Sequence, residues 1–147
     1  MMDVAIETIG REDREEVLIR CHAITDEVRE IEAFVKSRQG SLSGSRDARQ
    51  YELPLSDLYY IESVDGRTFL YTKDEVYETA YRLYELEGLL REKAFLRVSK
   101  STLINLMKIR AIRPALNGRF LAVLQSGEEV IISRSYVKDL KSALKGR

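Results

Sequence analysis

Residues 58–72 read LYYIESVDGRTFLYT, and this stretch carries the clearest signal of secondary structure in the chain. Two runs rich in aromatic and β-branched residues, 58–64 and 68–72, flank the short segment Asp65-Gly66-Arg67. An Asp-Gly pair between strand-like runs favours a tight turn, because both residues tolerate positive φ. The stretch therefore predicts a β-hairpin, and we expect a sheet built around it.

Further elements are predicted on both sides of this hairpin. Residues 50–55 predict a strand before it, and residues 76–81 are a candidate for another strand after it. The short helix that follows has an apolar stripe made of Leu83, Leu86, Leu89 and Leu90. Residues 95–98 then predict a strand that leads into Ser99-Lys100-Ser101, and the apolar residues from Leu103 to Ile109 predict one or two helical turns.

The last third of the chain predicts three strands in close succession, at 111–114, 119–124 and 129–133. Asn117-Gly118 and Ser126-Gly127 separate them, and both pairs are typical of hairpin turns. A final helix carries Tyr136, Val137, Leu140 and Leu144 on one face. The fold class predicted from these elements is α+β, mainly β, with peripheral helices.

The first 49 residues predict a smaller unit. Residues 4–9 and 16–22 are expected to form strands, with a polar turn between them. Thr25 is a candidate N-cap for an amphipathic helix that ends near Arg38. Glycine and serine dominate residues 39–47, which we interpret as a linker. The predicted domains are a strand-strand-helix attachment at 1–45 and a main domain at 50–147.

Charge is segregated along the chain, although the net charge is zero. The net charge is −3 over residues 1–49, −6 over residues 50–92 and +9 over residues 93–147. A concentrated positive region suits a protein that meets a polyanion. A basic face that binds an acidic protein partner is the alternative, and an accidental block of solvated basic residues would leave no partner at all.

The sequence offers little for catalysis, and we expect no enzyme. The only histidine, His22, is adjacent to the only cysteine, Cys21, and neighbours in a strand point to opposite faces. Cys21 is expected to be a buried, inert thiol. No phosphate-binding loop, dinucleotide motif or zinc spacing occurs, so no cofactor, metal or small-molecule substrate is predicted. The absence of a signal peptide and of a long apolar run predicts a cytoplasmic protein.

Polar and basic side chains lie at predicted strand ends and turns of the basic region, where DNA contacts are commonly made. Arginine and asparagine can pair with guanine and adenine edges, and serine hydroxyls suit phosphate. Duplex DNA is favoured over RNA because the basic region lacks interleaved aromatic residues for stacking single-stranded bases. The candidate DNA-binding residues are Arg67, Ser99, Lys100, Ser101, Asn117, Arg119, Arg134 and Ser135.

Three segments resemble the LytTR family of bacterial DNA-binding domains: 55–72, 95–109 and 115–144. The matching phrases include Asp57-Leu58-Tyr59-Tyr60-Ile61-Glu62 and the run from Arg97 to Asn105. The resemblance implies an elongated β fold that inserts loops into successive major grooves at direct repeats. It places Arg67, Lys100 and Ser135 in three contact loops, with Ser101 and Arg134 adjoining. Lys100 and Ser135 occupy positions where another member of the family has asparagine and arginine. The base preference of these two positions is therefore expected to differ from that of the other member.

The layout resembles the smaller stand-alone LytTR regulators, because about 49 residues in front are too few for a phospho-receiver domain. This resemblance implies that residues 1–49 dock either a second copy of the chain or a small membrane-protein inhibitor. Direct repeats imply a homodimer, at least on DNA.

Overall fold

The computed structural model describes residues 2–145, and most of its secondary-structure elements are β-strands. In chain order they are α1 (Asp26–Arg38), β1 (Ser41–Arg46), β2 (Arg49–Pro54), β3 (Tyr60–Val64), β4 (Arg67–Tyr71), β5 (Val76–Thr79), α2 (Leu83–Leu89), β6 (Phe95–Ser99), β7 (Thr102–Asn105), β8 (Ile109–Pro114), β9 (Phe120–Leu124), β10 (Glu129–Ile132) and α3 (Val137–Lys145). The predicted α+β class, mainly β, is confirmed.

The hairpin at 58–72 is confirmed and lies inside a seven-stranded sheet. β3 and β4 pair antiparallel, from Tyr60 opposite Tyr71 to Val64 opposite Arg67. Asp65 and Gly66 have φ of 50° and 77°, as a two-residue hairpin turn with right-handed strand twist requires. The strand order is β2-β1-β5-β4-β3-β7-β6, and a second sheet has the order β10-β9-β8.

Two apolar cores hold these layers together. In the first core, α1 and α2 cover the large sheet, with Ala33, Leu86 and Leu90 buried against it. In the second core, α3 and the small sheet pack on β3, β6 and β7, with Leu140 and Ile132 at the centre. Each fully buried Leu or Ile stabilises the fold by about 1.5–3 kcal/mol. The second core therefore fixes the small sheet against the β3-β7-β6 side of the large one.

The predicted helices at both ends of the chain and in its middle are confirmed. Thr25 caps α1, since its hydroxyl accepts a hydrogen bond of 3.3 Å from the amide of Val28. Leu83 and Leu86 of α2 are buried, as is Leu140 of α3. Among residues 2–145, no helix is both long enough and apolar enough to cross a membrane.

The helical turns predicted between Leu103 and Ile109 are wrong for most of that run. Thr102–Asn105 is the strand β7, and only Leu106–Lys108 forms a single 3-10 turn. β7 pairs with β3 on one side and β6 on the other, and all four of its residues are buried. A strand covered on both faces is apolar at consecutive positions, and such a run cannot be told from a buried helix by periodicity.

The linker predicted at 39–47 is also wrong, because residues 41–46 form β1. Leu42 and Gly44 are buried in it. A Cβ at Gly44 would lie 3.0 Å from Cβ of Tyr77, so the small residue permits close approach of the neighbouring strand. The β1–β2 hairpin crosses the proposed boundary between 45 and 50; the division into two domains stays a prediction.

The strands predicted at 4–9 and 16–22 are absent from the structure. Within residues 2–24 the one backbone–backbone hydrogen bond runs from the amide of Asp13 to the carbonyl of Gly10, at 3.1 Å. A strand needs a neighbouring strand, and neither segment has one in the described part of the chain. Cys21, expected to be buried, is exposed on this segment.

Candidate nucleic-acid interface

The β3–β4 turn and the β6–β7 turn lie side by side at one end of the large sheet. β7 pairs with both β3 and β6, so the two hairpins point the same way. The amide of Ser63 donates a 2.8 Å hydrogen bond to the carbonyl of Ser101, which ties the two turns together. Arg67 and Lys100, both exposed, therefore lie at the same end of the sheet.

The small sheet brings a third loop to this end. The amide of Ser133 donates a 2.8 Å hydrogen bond to the carbonyl of Val98, in the edge strand β6. This bond places the 3-10 turn Arg134–Tyr136 beside the end of β6. Ile132 in turn pairs with Phe120, so the start of β9 lies next to the same turn.

The Asn117-Gly118 turn packs directly on Arg134. Asn117 and Gly118 have φ of 63° and 75°, the left-handed conformation predicted by their residue types. A Cβ at Gly118 would lie 2.9 Å from Cδ of Arg134, so a larger residue there would displace the arginine stem. The turn after β8 thus completes the row of loops.

The eight predicted residues therefore lie along one row of neighbouring loops, which we call the contact edge: Arg67, Ser99, Lys100, Ser101, Asn117, Arg119, Arg134 and Ser135. Their predicted role in binding DNA is a separate matter and stays a prediction.

The contact edge presents accessible positive charge. Arg67, Lys100, Arg119 and Arg134 are all exposed. Within residues 2–145, Lys100, Arg119 and Arg134 form no ion pair, and Arg119 donates only a 3.3 Å hydrogen bond to the carbonyl of Leu116. These three cations can thus meet a phosphate without first breaking a salt bridge.

The serines of the contact edge are partly committed to the fold. The hydroxyl of Ser99 accepts a 3.2 Å hydrogen bond from the amide of Ser101, and both side chains are half-buried. Ser99 therefore stabilises the turn that presents Lys100. Ser135 is exposed at the start of the last helical segment, a position from which a hydroxyl can reach phosphate.

Arg67 differs from the other basic residues because it already has an anionic partner. Its Nε and Nη2 lie 2.9 and 2.6 Å from the two carboxylate oxygens of Glu78, and its guanidinium lies 5.3 Å from the ring of Phe69. The hydrogen bonds and the charge of Glu78 raise the pKa of Arg67. The same hydrogen bonds lower the pKa of Glu78. Arg67 would have to leave this pair before Nε and Nη2 could donate to another partner.

Sequence reasoning missed two residues that shape the contact edge. Arg97 is only 16% exposed; it donates hydrogen bonds of 3.2 and 2.9 Å to Glu87 and one of 2.5 Å to the carbonyl of Lys100. An arginine inside a predicted apolar strand is the signal that could have found it. Glu78 is the second residue, and it meets Arg67 only because β4 pairs with β5.

Comparison with known proteins identifies the fold's relatives. The family model for the LytTr DNA-binding domain matches residues 48–145. The sensory transduction protein LytT of Bacillus cereus is 34% identical over 91 residues, which are 62% of this chain and 37% of that protein. The transcriptional regulatory protein YpdB of Escherichia coli is 32% identical over 113 residues, 76% of this chain and 46% of YpdB. The chain thus spans less than half the length of these relatives.

A solved structure gives the same result. The LytTr DNA-binding domain of a methyl-accepting/DNA response regulator from Bacillus cereus superposes with a TM-score of 0.68 at 28% identity. The alignment covers 71% of this chain and 96% of that domain. Both the sequence resemblance and the fold are confirmed: with well over half of its residues matched by the family model, the chain belongs to the LytTR family of DNA-binding domains.

Proposed function

We propose that this chain binds double-stranded DNA at specific sequences through the contact edge and thereby regulates transcription. The observation that carries the proposal is the continuity of the edge. Three contacts, from Ser63 to Ser101, from Ser133 to Val98 and from Gly118 to Arg134, join loops from both sheets into one row. A row of loops can follow a groove of DNA, which an isolated basic patch cannot do.

The chemistry of the edge suits both parts of DNA recognition. Exposed cations supply phosphate neutralisation, which dominates affinity. Arginine, lysine and asparagine can also form paired hydrogen bonds with base edges in the major groove. Adjacent strands lie about 4.8 Å apart, so the tips of the β3–β4 and β6–β7 hairpins lie roughly 10 Å apart, which is within the width of one major groove.

Regulation of transcription is proposed on the basis of the relatives. YpdB is by name a transcriptional regulatory protein, and LytT is a sensory transduction protein. We further propose that two copies of the chain occupy paired direct repeats. We also propose that a small membrane protein inhibits the chain by docking on residues 1–49. This proposal would fail if deleting residues 1–40 left every membrane protein that co-purifies with the chain unchanged.

Selection from a random duplex pool at physiological salt tests the proposal. The purified full-length chain should enrich a motif repeated about one helical turn apart. A variant with Arg67, Lys100 and Arg134 replaced by Ala should lose this enrichment. Lys73→Ala should keep it, because Lys73 is exposed in the β4–β5 loop, at the opposite end of β4 from Arg67. Binding without any enrichment, fading uniformly with salt, would instead favour a basic face for an acidic protein partner.

A further inference from the structure

The N-terminal arm, residues 2–24, exposes an unusual share of apolar surface. Fourteen large apolar side chains are exposed in the described residues, and seven of them belong to this arm. Val4 and Ile6 are 91% and 94% exposed, and Leu18 is 72% exposed. Seven exposed apolar side chains within one short segment make the arm a candidate interaction surface.

The arm segment from Glu16 to His22 has the alternation of a strand without a partner strand. Val17, Ile19 and Cys21, at every second position, line a groove of about 990 Å³ over α1, β1 and β5, whereas Leu18 does not. Within the described residues this segment forms no backbone–backbone hydrogen bond. A segment whose backbone hydrogen-bonding groups are unpaired and whose apolar side chains alternate is a template for another strand.

We propose that this segment pairs antiparallel with the same segment of a second copy of the chain, about a twofold axis at Leu18. Leu18 then faces Leu18 of the second copy, and Val17 faces Ile19. Glu16 of each copy lies opposite Arg20 of the other, so the pairing is self-complementary in charge as an isologous interface requires.

Neighbouring registers lack this complementarity. An axis at Val17 would place Arg14 opposite Arg20, and like charges directly opposite each other destabilise a sheet. An axis at Ile19 would place Leu18 opposite Arg20. The register at Leu18 pairs apolar with apolar and acid with base.

This inference concerns the free protein and does not depend on the proposed DNA-binding function. The arm lies outside residues 48–145, which the family model matches. Its experiments contain no DNA, so a failure here would leave the contact edge unaffected, and a failure of DNA selection would leave the arm unaffected.

Sedimentation of the purified full-length chain without DNA is the first test. The wild-type chain should dimerise at micromolar concentration, and Leu18→Lys should raise the dissociation constant of the dimer by about tenfold or more. Leu116→Lys is the matched control, because Leu116 is 80% exposed in the β8–β9 loop, and it should leave dimerisation unchanged. A monomeric wild-type chain at tens of micromolar would overturn the inference and leave the arm to a different partner.

Charge exchange tests the register. Glu16→Arg alone and Arg20→Glu alone should each weaken the dimer, because each places like charges opposite each other. The double variant E16R/R20E should restore association to within a few-fold of wild type, because it re-forms both opposite-charge pairs. A double variant that is as weak as the two single variants would reject this register.

Disulfide trapping gives a second measure of the register. In the proposed pairing Glu15 lies opposite Cys21 of the second copy, so Glu15→Cys should form a disulfide-linked dimer with the native Cys21 on mild oxidation. Within one chain these positions are six residues apart, about 20 Å in an extended segment, too far for a disulfide. Glu12→Cys is the control and should cross-link much more slowly. Equal rates for the two variants would contradict the pairing.

Discussion

Arg67 forms an ion pair with Glu78, whereas the other cations of the contact edge form no ion pair within residues 2–145. The carboxylate accepts hydrogen bonds from Nε and Nη2, which form one of the paired-donor edges of the guanidinium, and no hydrogen bond from Nη1. Both side chains are exposed, so water screens the pair and keeps it weak. If Arg67 binds DNA as proposed, Glu78 competes with DNA for Arg67 without blocking it.

Replacing Glu78 with Gln should strengthen DNA binding by roughly two- to fivefold, since only a weak surface pair has to be broken in the wild-type chain. Fluorescence anisotropy with a selected duplex at fixed salt measures the change. Glu75→Gln is the matched control. Glu75 lies in the β4–β5 loop and forms a 2.9 Å ion pair with Arg46, so this variant removes the same charge from a different pair. Equal gains for the two variants would attribute the effect to net charge and not to release of Arg67.

Lys100 sits at the tip of the β6–β7 turn, and Lys100→Ala should weaken binding. If the ammonium contacts a base, discrimination between the selected site and random DNA should fall by about 1–3 kcal/mol. If it contacts phosphate alone, both affinities should fall together. Lys73→Ala serves as the control in the same titrations. Unchanged affinity and unchanged discrimination would remove Lys100 from the interface.

At the scale of elements, the sheets must keep their relative position for the contact edge to exist. Tyr60 of β3 donates a 2.8 Å hydrogen bond to Glu128 in the β9–β10 turn, and its ring stacks on Tyr71 at 4.2 Å between ring centroids. Burial raises the pKa of Tyr60, and the hydrogen bond to Glu128 raises it further. This tyrosine ties the two sheets together only while its hydroxyl is protonated.

The free energy of unfolding should therefore fall as the pH rises above about 10, where tyrosines of the unfolded chain lose their protons. The folded chain keeps the Tyr60 proton there, so the unfolded state binds fewer protons and stability declines. Urea unfolding from pH 8 to 11 should show a shallower decline for Tyr60→Phe, with a loss of about 0.5–1.5 kcal/mol at neutral pH. Tyr84→Phe, exposed on α2, is the control. Identical slopes for Tyr60→Phe and the wild-type chain would sink the assignment.

At the scale of the whole molecule, the basic C-terminal region of the chain contributes most of the cations of the contact edge. Residues 93–147 carry a net charge of +9, and three of the four exposed cations of the contact edge lie in that region. The acidic majority falls in the first 92 residues. Although the chain is neutral overall, its basic C-terminal region supplies most of the exposed cations of the contact edge, as a surface that meets a polyanion requires.

Salt titration should reflect the number of these cations. If all four neutralise a phosphate, the logarithm of the binding constant should fall against the logarithm of salt concentration with a slope of about −4 for each bound copy. The double variant K100A/R134A should reduce the slope by about 2, whereas Lys73→Ala should leave it unchanged. A slope that the double variant does not alter would place the phosphate contacts elsewhere.

Features that depend on short-range physics could be predicted from contiguous residues. Asp65-Gly66 and Asn117-Gly118 specify turns because their own residues tolerate positive φ. Thr25 starts α1 because its side chain reaches an amide three residues on. The turn motifs predicted Asn117 and Arg119, and the family resemblance, carried by motifs of contiguous residues, placed Arg67, Lys100 and Ser135 in contact loops; all five are exposed.

Which segments pair as strands could not be predicted from the sequence and is seen only in the folded chain. The sequence predicted helical turns where β7 lies and a linker where β1 lies. Both predictions were wrong because a strand is stabilised by neighbours that are distant in sequence. Residues 16–22 were predicted to form a strand, but they pair with no other strand within residues 2–145. The pair of Arg67 with Glu78 likewise required β4 to lie beside β5. Turns and caps are encoded within a few residues, whereas strand pairing and the meeting of loops depend on the whole chain.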